Sequence, residues 1–270
     1  TLFPYTTLFR SNATFRIVLP LEKGVTYGLS GETATYAQQV YIDGKLLSEV
    51  GKVSDNAEEF VPATDRYTLY FTAQADTAEI IIRHAWFNHR TGTIQKLCLA
   101  KAPLISANDR AQTVCDGLIA GTLLAMAIFF FGMFLLGNRK RSMMWFSLTC
   151  LTAALHYLIY ESKQIGVLFP YLDWYTEHKL EYITNILYFV FILLYAFAAL
   201  GLRPHKHFVV TSVCSAGAIL LFYIFAPSTV YTHFTVVAGA VMAVYLILSS
   251  VYICVTAVKH RLMGYIDSRS

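Results

Sequence analysis

Charged residues are scarce in this sequence, and their scarcity argues against an ordinary soluble domain. Asp, Glu, Lys and Arg make up 14% of the 270 residues, whereas hydrophobic residues make up 56%. Soluble domains contain roughly 25% charged residues. The 21 basic and 17 acidic residues give a formal charge of +4, but no basic face or arm accompanies an aromatic platform. We therefore expect a membrane protein that contacts lipids and binds no nucleic acid.

Cysteine pairs and catalytic motifs are also lacking. The five cysteines are an odd number without paired metal-ligand spacing, so the sequence predicts neither a disulfide framework nor a metal centre. His84 and His89 are too few to bind a metal without a third ligand. Gly-x-Ser-x-Gly, a Gly-rich phosphate loop and His-Glu-x-x-His do not occur in the sequence. We expect no catalytic residue, no cofactor and no enzymatic activity in this chain.

Residues 1–11 resemble a translated sequencing adapter and not a signal peptide. They lack a basic start, an uninterrupted apolar core and a cleavage site. We expect the natural protein to extend upstream of this stretch, and downstream of Ser270 as well.

Residues 12–104 have the pattern of strands and turns. The run 66–73 alternates apolar and polar residues, as a half-buried strand does. Asp43-Gly44 is a strong signal for a tight hairpin turn. The predicted strands are 14–21, 25–29, 36–42, 45–50, 66–73, 79–84 and 93–100. Many short strands at this spacing predict an antiparallel β sandwich of the jelly-roll type.

The sequence beyond residue 116 contains apolar runs long enough to cross a lipid bilayer. A helix needs about 20 apolar residues for this, and backbone amides in lipid must be paired within a helix. Residues 105–116 form a juxtamembrane linker to the first run. The predicted spans are 117–137, 143–160, 180–200, 208–226 and 234–258, and 259–270 begins a cytoplasmic loop. The expected fold is a β sandwich followed by an all-α membrane bundle, with five of an expected seven spans.

Basic residues lie at alternate ends of these spans. They follow spans one, three and five, whereas the two intervening loops contain only Lys163 against several acidic residues. The basic residues are Arg139, Lys140 and Arg141, then Arg203 and Lys206, then Lys259 and Arg261. Because such residues are retained in the cytoplasm, the β domain is predicted to lie outside it.

Gly117, Gly121 and Ala125 form a ridge of small residues on the first span. Such ridges let helices approach closely. The ridge predicts helix packing, either within one chain or between two copies in a homodimer.

Several stretches resemble one family of bacterial receptors. They are VYIDGKL at 40–46, IIIRHAWFNHRTG at 80–92, Gly117-x-x-x-Gly121, WFSLTCL at 145–151 and LEYI at 180–183. The chain is similar to the seven-transmembrane receptors with diverse intracellular signalling modules. The resemblance implies an outer domain of the galactose-binding, carbohydrate-module type and a cytoplasmic kinase, cyclase or phosphatase. This chain contains neither that module nor seven spans.

Five residues are candidates for a ligand surface on the outer domain. A sugar needs an aromatic face for its C–H surface and planar polar groups for its hydroxyls. The candidates are Asp43, Trp86, Asn88, His89 and Arg90. The alternative is that Asp43 only forms a turn and that Trp86 only fills the core.

Glu177, Glu181 and Asn185 recur every four residues and share one helix face where the third span begins. Ionisable groups at a membrane edge are costly unless they face the bundle or water. This stripe, with His156 near the outer end of span two, predicts coupling between the outer domain and the bundle. The alternative is an interfacial packing stripe and a hydrogen-bonded bundle histidine.

These patterns predict a sensor of the bacterial cell envelope. It would be a multi-pass protein of the inner membrane whose outer domain binds an extracytoplasmic small molecule or saccharide. The alternatives are a transporter or channel subunit with an extracytoplasmic accessory domain, a membrane-bound enzyme and a structural envelope anchor.

Overall fold

The computed structural model describes residues 11–87, 97–137, 139–201 and 206–267. The chain divides into two compact units. The first comprises the residues up to Leu118 together with Leu158–His178, and the second comprises Ile119–Tyr157 and the residues from Lys179 onward.

Among the described residues, six strands form the body of the first unit, and all of their pairings are antiparallel. The strands are β1 (Ser11–Pro20), β2 (Thr26–Ile42), β3 (Lys45–Val50), β4 (Ala63–Thr72), β5 (Thr77–Trp86) and β6 (Cys98–Lys101). Short antiparallel strands of this kind are what the alternating pattern and the turn residues predict. Residues 93–96 of the last predicted strand lie outside the described part of the chain.

The long strand β2 pairs with two different groups of strands. Its first half pairs with β4 and β6, and its second half pairs with β5 and β3. The register shifts between Thr33 and Tyr36, where the irregularity lets one strand change partners. The sequence predicted two strands, 25–29 and 36–42, and these are the two ends of β2. Hydrophobic alternation marks both ends but not the irregular centre, because the bulge breaks the period of two.

Apolar side chains from both halves of β2 meet those of the neighbouring strands in one core. On β5, Ala78, Ile80 and Ile82 are buried at alternate positions, as a strand with one face on a core requires. The buried members of the core are Leu29, Val40, Ile42, Val50, Tyr67, Ile80 and Ile82. Burying each aliphatic side chain contributes about 1.5–3 kcal/mol. The predicted class of the N-terminal domain, a β sandwich, is confirmed.

The predicted turn at Asp43-Gly44 joins β2 to β3. Asp43 has φ 48° and Gly44 has φ 77°. Positive φ at two central residues matches the twist of a tight hairpin, and Asp and Gly tolerate it best.

The remaining elements are helical. They are α1 (Ala102–Leu136), α2 (Arg141–His156), a π-helical turn (Tyr157–Glu161), α3 (Ile165–Leu168), α4 (Trp174–Ala199), α5 (Lys206–Phe225) and α6 (Ser228–Asp267). In the described part of the chain, five helices are long and apolar enough to cross a membrane, if α2 is taken with its π-helical turn. The helices α1, α4 and α6 begin before the apolar runs that predicted them, because a helix does not stop where hydropathy falls.

Polar and aromatic contacts hold the helices of the second unit together. The hydroxyl of Ser147 on α2 donates to the carbonyl of Ala127 on α1 over 2.7 Å. Tyr182 on α4 contacts Tyr223 on α5 and Tyr231 on α6, with ring centroids 5.0 and 5.3 Å apart. An interhelical hydrogen bond and close aromatic packing are the interactions that join helices in lipid.

Candidate functional site

The structure separates the two described members of the predicted sugar surface. The Asp43 carboxylate accepts a hydrogen bond from the Glu79 amide over 2.9 Å, and the Asp43 amide donates to the Glu79 carbonyl over 2.9 Å. Trp86 is the last residue of β5, seven positions beyond Glu79, so it lies about 23 Å away along the strand. Its side chain is 8% exposed and offers little aromatic surface. Asn88, His89 and Arg90 lie outside the described residues.

The predicted stripe on α4 keeps its helical spacing. Glu177 is buried, and Glu181 and Asn185 are half-buried. On the neighbouring α2, His156 Nδ1 lies 3.3 Å from the Thr184 hydroxyl, one residue before Asn185. His156 is therefore hydrogen-bonded within the second unit.

The described topology residues lie just before or at the start of α2 and α5, and inside the last part of α6. Arg139 has φ 49°, Lys140 caps the N-terminus of α2, and Arg141 and Lys206 are the first residues of α2 and α5. Lys259 and the backbone of Arg261 belong to α6. Arg203 lies outside the described residues.

The ridge of small residues on α1 faces away from the described part of the chain. A Cβ atom added at Gly117 or Gly121 would meet no heavy atom within 4 Å, and Ala125 is exposed. Ala120 and Ala127 are buried instead. Packing of this ridge within one chain is therefore not observed among the described residues.

The sequence did not predict that α1 docks on the β domain. The segment 105–116, predicted as a linker, is helical. One face of this helical segment carries four residues spaced four, three and four positions apart, namely Ile105, Asp109, Gln112 and Asp116. We refer to these four residues as the α1 stripe. The stripe spans about 16 Å at 1.5 Å per residue.

Ile105 anchors the beginning of the α1 stripe. Its side chain is 2% exposed. A Cβ atom added at Gly28 on β2 would lie 2.8 Å from the Ile105 Cβ, which is closer than such atoms approach. Gly28 therefore leaves the space that lets α1 pack directly on the strand.

Arg66 on β4 binds the end of the α1 stripe. Its Nη1 donates to Asp116 over 3.0 Å, and its Nη2 donates to the Glu161 carbonyl over 2.8 Å. The Gln112 amide oxygen, when turned toward Arg66, accepts from the two nitrogens at 3.2 and 3.3 Å. Asp116 is 5% exposed, so the guanidinium neutralises a buried carboxylate while its planar fork satisfies a carbonyl of the π-helical turn.

Lys163 makes a second ion pair within this unit. Its Nζ lies 3.0 Å from a Glu32 carboxylate oxygen, and its side chain is 7% exposed. Lys163 has φ 52°, a conformation that is costly outside glycine, and it directly follows the π-helical turn and Ser162. Such strain persists when surrounding contacts fix it, and it is concentrated at functional sites.

A polar cleft lies beside these pairs. The Thr68 hydroxyl on β4 donates to Asp109 of the α1 stripe over 2.7 Å. The cleft has a volume of about 230 Å³ and is lined by residues of β4, of α1 and of the segment 162–167. Its lining includes Arg66 and Lys163, so the cleft and both ion pairs form one site.

Burial shifts the pKa of two groups in the core of the β domain. Burial raises the pKa of Tyr67 to about 12, although a hydrogen bond from Gln38 of 2.6 Å opposes this. Burial lowers the pKa of His84 to about 4, because the charged imidazolium loses its hydration. The His84 ring packs against Phe15 and Tyr36, and its Nε2 has no hydrogen-bond partner among the described residues. Both groups are neutral core residues at pH 7.

One sequence signal could have indicated the polar site. Lys163 is the only basic residue in the two loops predicted to lie outside the cytoplasm, so an acidic partner was to be expected. That the partner is Glu32, 131 positions earlier, depends on tertiary structure alone.

A β sandwich followed, in the residues that the structure describes, by five apolar helices defines the chain as a multi-pass membrane protein with an N-terminal β domain. Residues 112–266 match the family described as 7TM diverse intracellular signalling, and the chain belongs to that family. The resemblance seen in the sequence is thereby confirmed. No curated protein matched the chain in a sequence comparison.

Proposed function

We propose that this chain is the sensing and membrane part of a signalling receptor. The β domain lies outside the cytoplasm of a bacterial cell, the helices lie in the inner membrane, and a ligand of the β domain changes the arrangement of the helices. The family description, diverse intracellular signalling, supports the receptor class. A ligand acts in this way only if it binds two arrangements with different affinity.

The observation that carries the proposal is the double role of α1. Its stripe packs on the β domain through Ile105 and Asp116, and the same helix continues as the first apolar helix. The strand β6 ends at Lys101 and α1 begins at Ala102, so no irregular linker separates them. A displacement of the β domain therefore acts on a helix and not on a flexible tether.

The coupling is tested with a spin label on α6. The chain is prepared in nanodiscs with Cys254 as the only cysteine, and a nitroxide on Cys254 reports its surroundings. Arg66→Met, which removes the pair with Asp116, should change the spectrum if the β domain and the helices are coupled. The matched control is Lys52→Met, which removes the exposed pair with Glu59 and should leave the spectrum unchanged.

A structural anchor gives the opposite result. In that case Arg66→Met alters the stability of the β domain, and the label on Cys254 shows the same spectrum as in the parent chain.

The orientation is tested by cysteine accessibility. Cys98 in β6 is exposed, and Lys140 precedes α2 in the predicted cytoplasmic turn. In intact spheroplasts a membrane-impermeant maleimide should label a chain whose only cysteine is Cys98. A Lys140→Cys chain without other cysteines should react only after the membrane is opened. Labelling in the reverse order contradicts the proposed orientation.

The ligand of this receptor is proposed to be a small polar molecule, and a saccharide is the candidate that the family resemblance suggests. Trp86→Ala tests the surface at the end of β5. If a saccharide binds at this surface, the Trp86→Ala chain should bind it more weakly than the parent chain does in a glycan panel. If a folded Trp86→Ala chain binds the saccharide as the parent chain does, the ligand site lies on another surface.

A further inference from the structure

The polar cleft has the size of a small-molecule site and the chemistry of one. Its volume of about 230 Å³ corresponds to about eight water molecules at 30 Å³ each. Among the described residues that line it, Val167 alone is apolar. A cleft so lined suits a ligand that makes hydrogen bonds over most of its surface.

The two cations at the cleft already have carboxylate partners. Arg66 pairs with Asp116, and Lys163 pairs with Glu32. An anionic ligand would have to compete with these carboxylates for the two cations.

Two further carboxylates line the cleft and take part in none of the described ion pairs. Asp65 accepts a hydrogen bond of 2.7 Å from the Arg66 amide, and Asp109 accepts one of 2.7 Å from the Thr68 hydroxyl. Neither of these donors carries the charge that would neutralise a carboxylate. The charge of the cleft that remains uncompensated is therefore negative.

Neutral hydrogen-bonding groups complete the lining. The Thr113 hydroxyl donates to the Asp109 carbonyl over 2.9 Å, and the Ser162 hydroxyl donates to the Leu158 carbonyl over 3.3 Å. Because the Thr113 hydroxyl hydrogen is engaged and Thr113 is exposed, its oxygen remains available as an acceptor, whereas Ser162 is only 1% exposed. Gln164 adds an amide donor and acceptor. These groups suit the hydroxyls of a ligand.

We propose that this cleft binds a small hydroxylated amine of amino-sugar size, with its ammonium group at Asp65 and Asp109 and its hydroxyls at Thr113 and Gln164. This inference rests on the proposed receptor function and assigns its ligand to the polar cleft. A ligand seated there contacts β4, the α1 stripe and the segment after the π-helical turn together. It therefore stabilises one arrangement of these three segments over others.

The test compares three hexose derivatives of the same ring shape and different charge. The full chain in nanodiscs is titrated calorimetrically with glucosamine, glucose and glucuronate. Glucosamine should bind at least about tenfold more tightly than glucose, since a charge-assisted hydrogen bond is lost in the neutral sugar. Glucuronate should give no binding. High salt should weaken glucosamine binding.

Two substitutions locate the site. Asp109→Asn keeps an acceptor for Thr68 and removes the charge, so glucosamine affinity should fall about tenfold or more. Asp65→Asn does the same at the second carboxylate and serves if the first variant does not fold. Asp76→Asn, in the exposed turn between β4 and β5, is the matched control and should bind as the parent chain does.

The proposal is overturned if glucosamine does not bind, if glucuronate binds as tightly, or if Asp109→Asn and Asp65→Asn leave the affinity unchanged. If glucosamine does not bind but Arg66→Met changes the spectrum of the label on Cys254, the proposed ligand class is wrong and the proposed coupling stands. If glucosamine binds specifically but Arg66→Met leaves the Cys254 spectrum unchanged, the proposed coupling between the β domain and the helices is wrong and the ligand class stands.

Discussion

The Arg66 guanidinium lies 3.0 Å from the Asp116 carboxylate, although the two residues are 50 positions apart in the chain. Arg66 is in the middle of a β-strand, and Asp116 stands directly before the apolar run of α1. The side chain of Asp116 is 7% exposed, whereas that of Arg66 is 26% exposed. The carboxylate is therefore the more deeply buried member of this ion pair.

Removing the cation should destabilise the chain more than removing both charges. We expect Arg66→Met to lower the free energy of unfolding by about 2 kcal/mol, because the buried Asp116 carboxylate loses its ion pair with the guanidinium. Combining Arg66→Met with Asp116→Asn should recover part of this loss. Thermal unfolding of the single and double variants in nanodiscs measures the coupling. Additive effects of the two substitutions would contradict a direct pair.

The contact between Gly28 and Ile105 predicts an effect of size. Gly28→Ala should destabilise the first unit by about 1–3 kcal/mol, because its methyl group overlaps the Ile105 side chain. The matched control is Gly121→Ala on α1, whose added methyl group has open space around it.

Thermal unfolding measures both glycine variants. Ile105→Ala in the Gly28→Ala chain removes the two γ carbons that lie 3.0 Å from the added methyl group, so the double variant should be more stable than the sum of the two losses predicts. An equal loss for Gly28→Ala and Gly121→Ala would contradict close packing at Gly28.

Lys163 combines an ion pair with a left-handed backbone. Lys163→Met removes the pair with Glu32 and keeps the strain, so it should be the more destabilising change. Lys163→Gly also removes the pair, but it relieves the backbone strain at residue 163, which offsets about 1 kcal/mol of the lost stability. The order of melting temperatures, parent above Lys163→Gly above Lys163→Met, is the expected result. If the methionine variant melts above the glycine variant, the backbone strain at residue 163 is not significant.

His84 predicts how stability depends on pH. Its pKa in the folded chain is about 4, below its usual value of about 6.5 in an unfolded chain. The unfolded chain therefore binds the extra proton between these values, and stability is lost as the pH falls from about 6.5 to about 4. The loss is about 3 kcal/mol when fully developed.

Unfolding of the β domain measured between pH 7 and pH 4 tests this. A His84→Leu variant should lose less stability over that range than the parent chain. If both chains lose stability equally, other groups account for the acid sensitivity.

The sequence predicted the parts of the fold that depend on local pattern. The turn at Asp43-Gly44, the strands around it and the five apolar helices each have a local signal, namely turn residues, a period of two or a long apolar run. The overall class, a β domain followed by membrane helices, and the family were therefore accessible.

The polar site was not accessible in the same way. Its members, Arg66, Asp116, Lys163 and Glu32, come from four separate segments, and a sequence pattern does not show which charges meet. The segment 105–116 was predicted as a linker because it is polar. A helix that packs on a polar surface needs only one favourable face, and three of the four residues on that face are themselves polar. Hydropathy cannot detect such a face.

The direct step from Lys101 in β6 to Ala102 in α1 sets the rotational phase of the helix. A helix turns about 100° per residue, so one residue inserted at this step would swing the α1 stripe a quarter-turn or more away from β4. Ile105 would leave Gly28, and Asp116 would leave Arg66. Four added residues would bring the helix nearly back into phase, but about 6 Å out of step along its axis. The connection therefore fixes an angle as well as a distance, and length variation at this point is far less acceptable than in an ordinary linker.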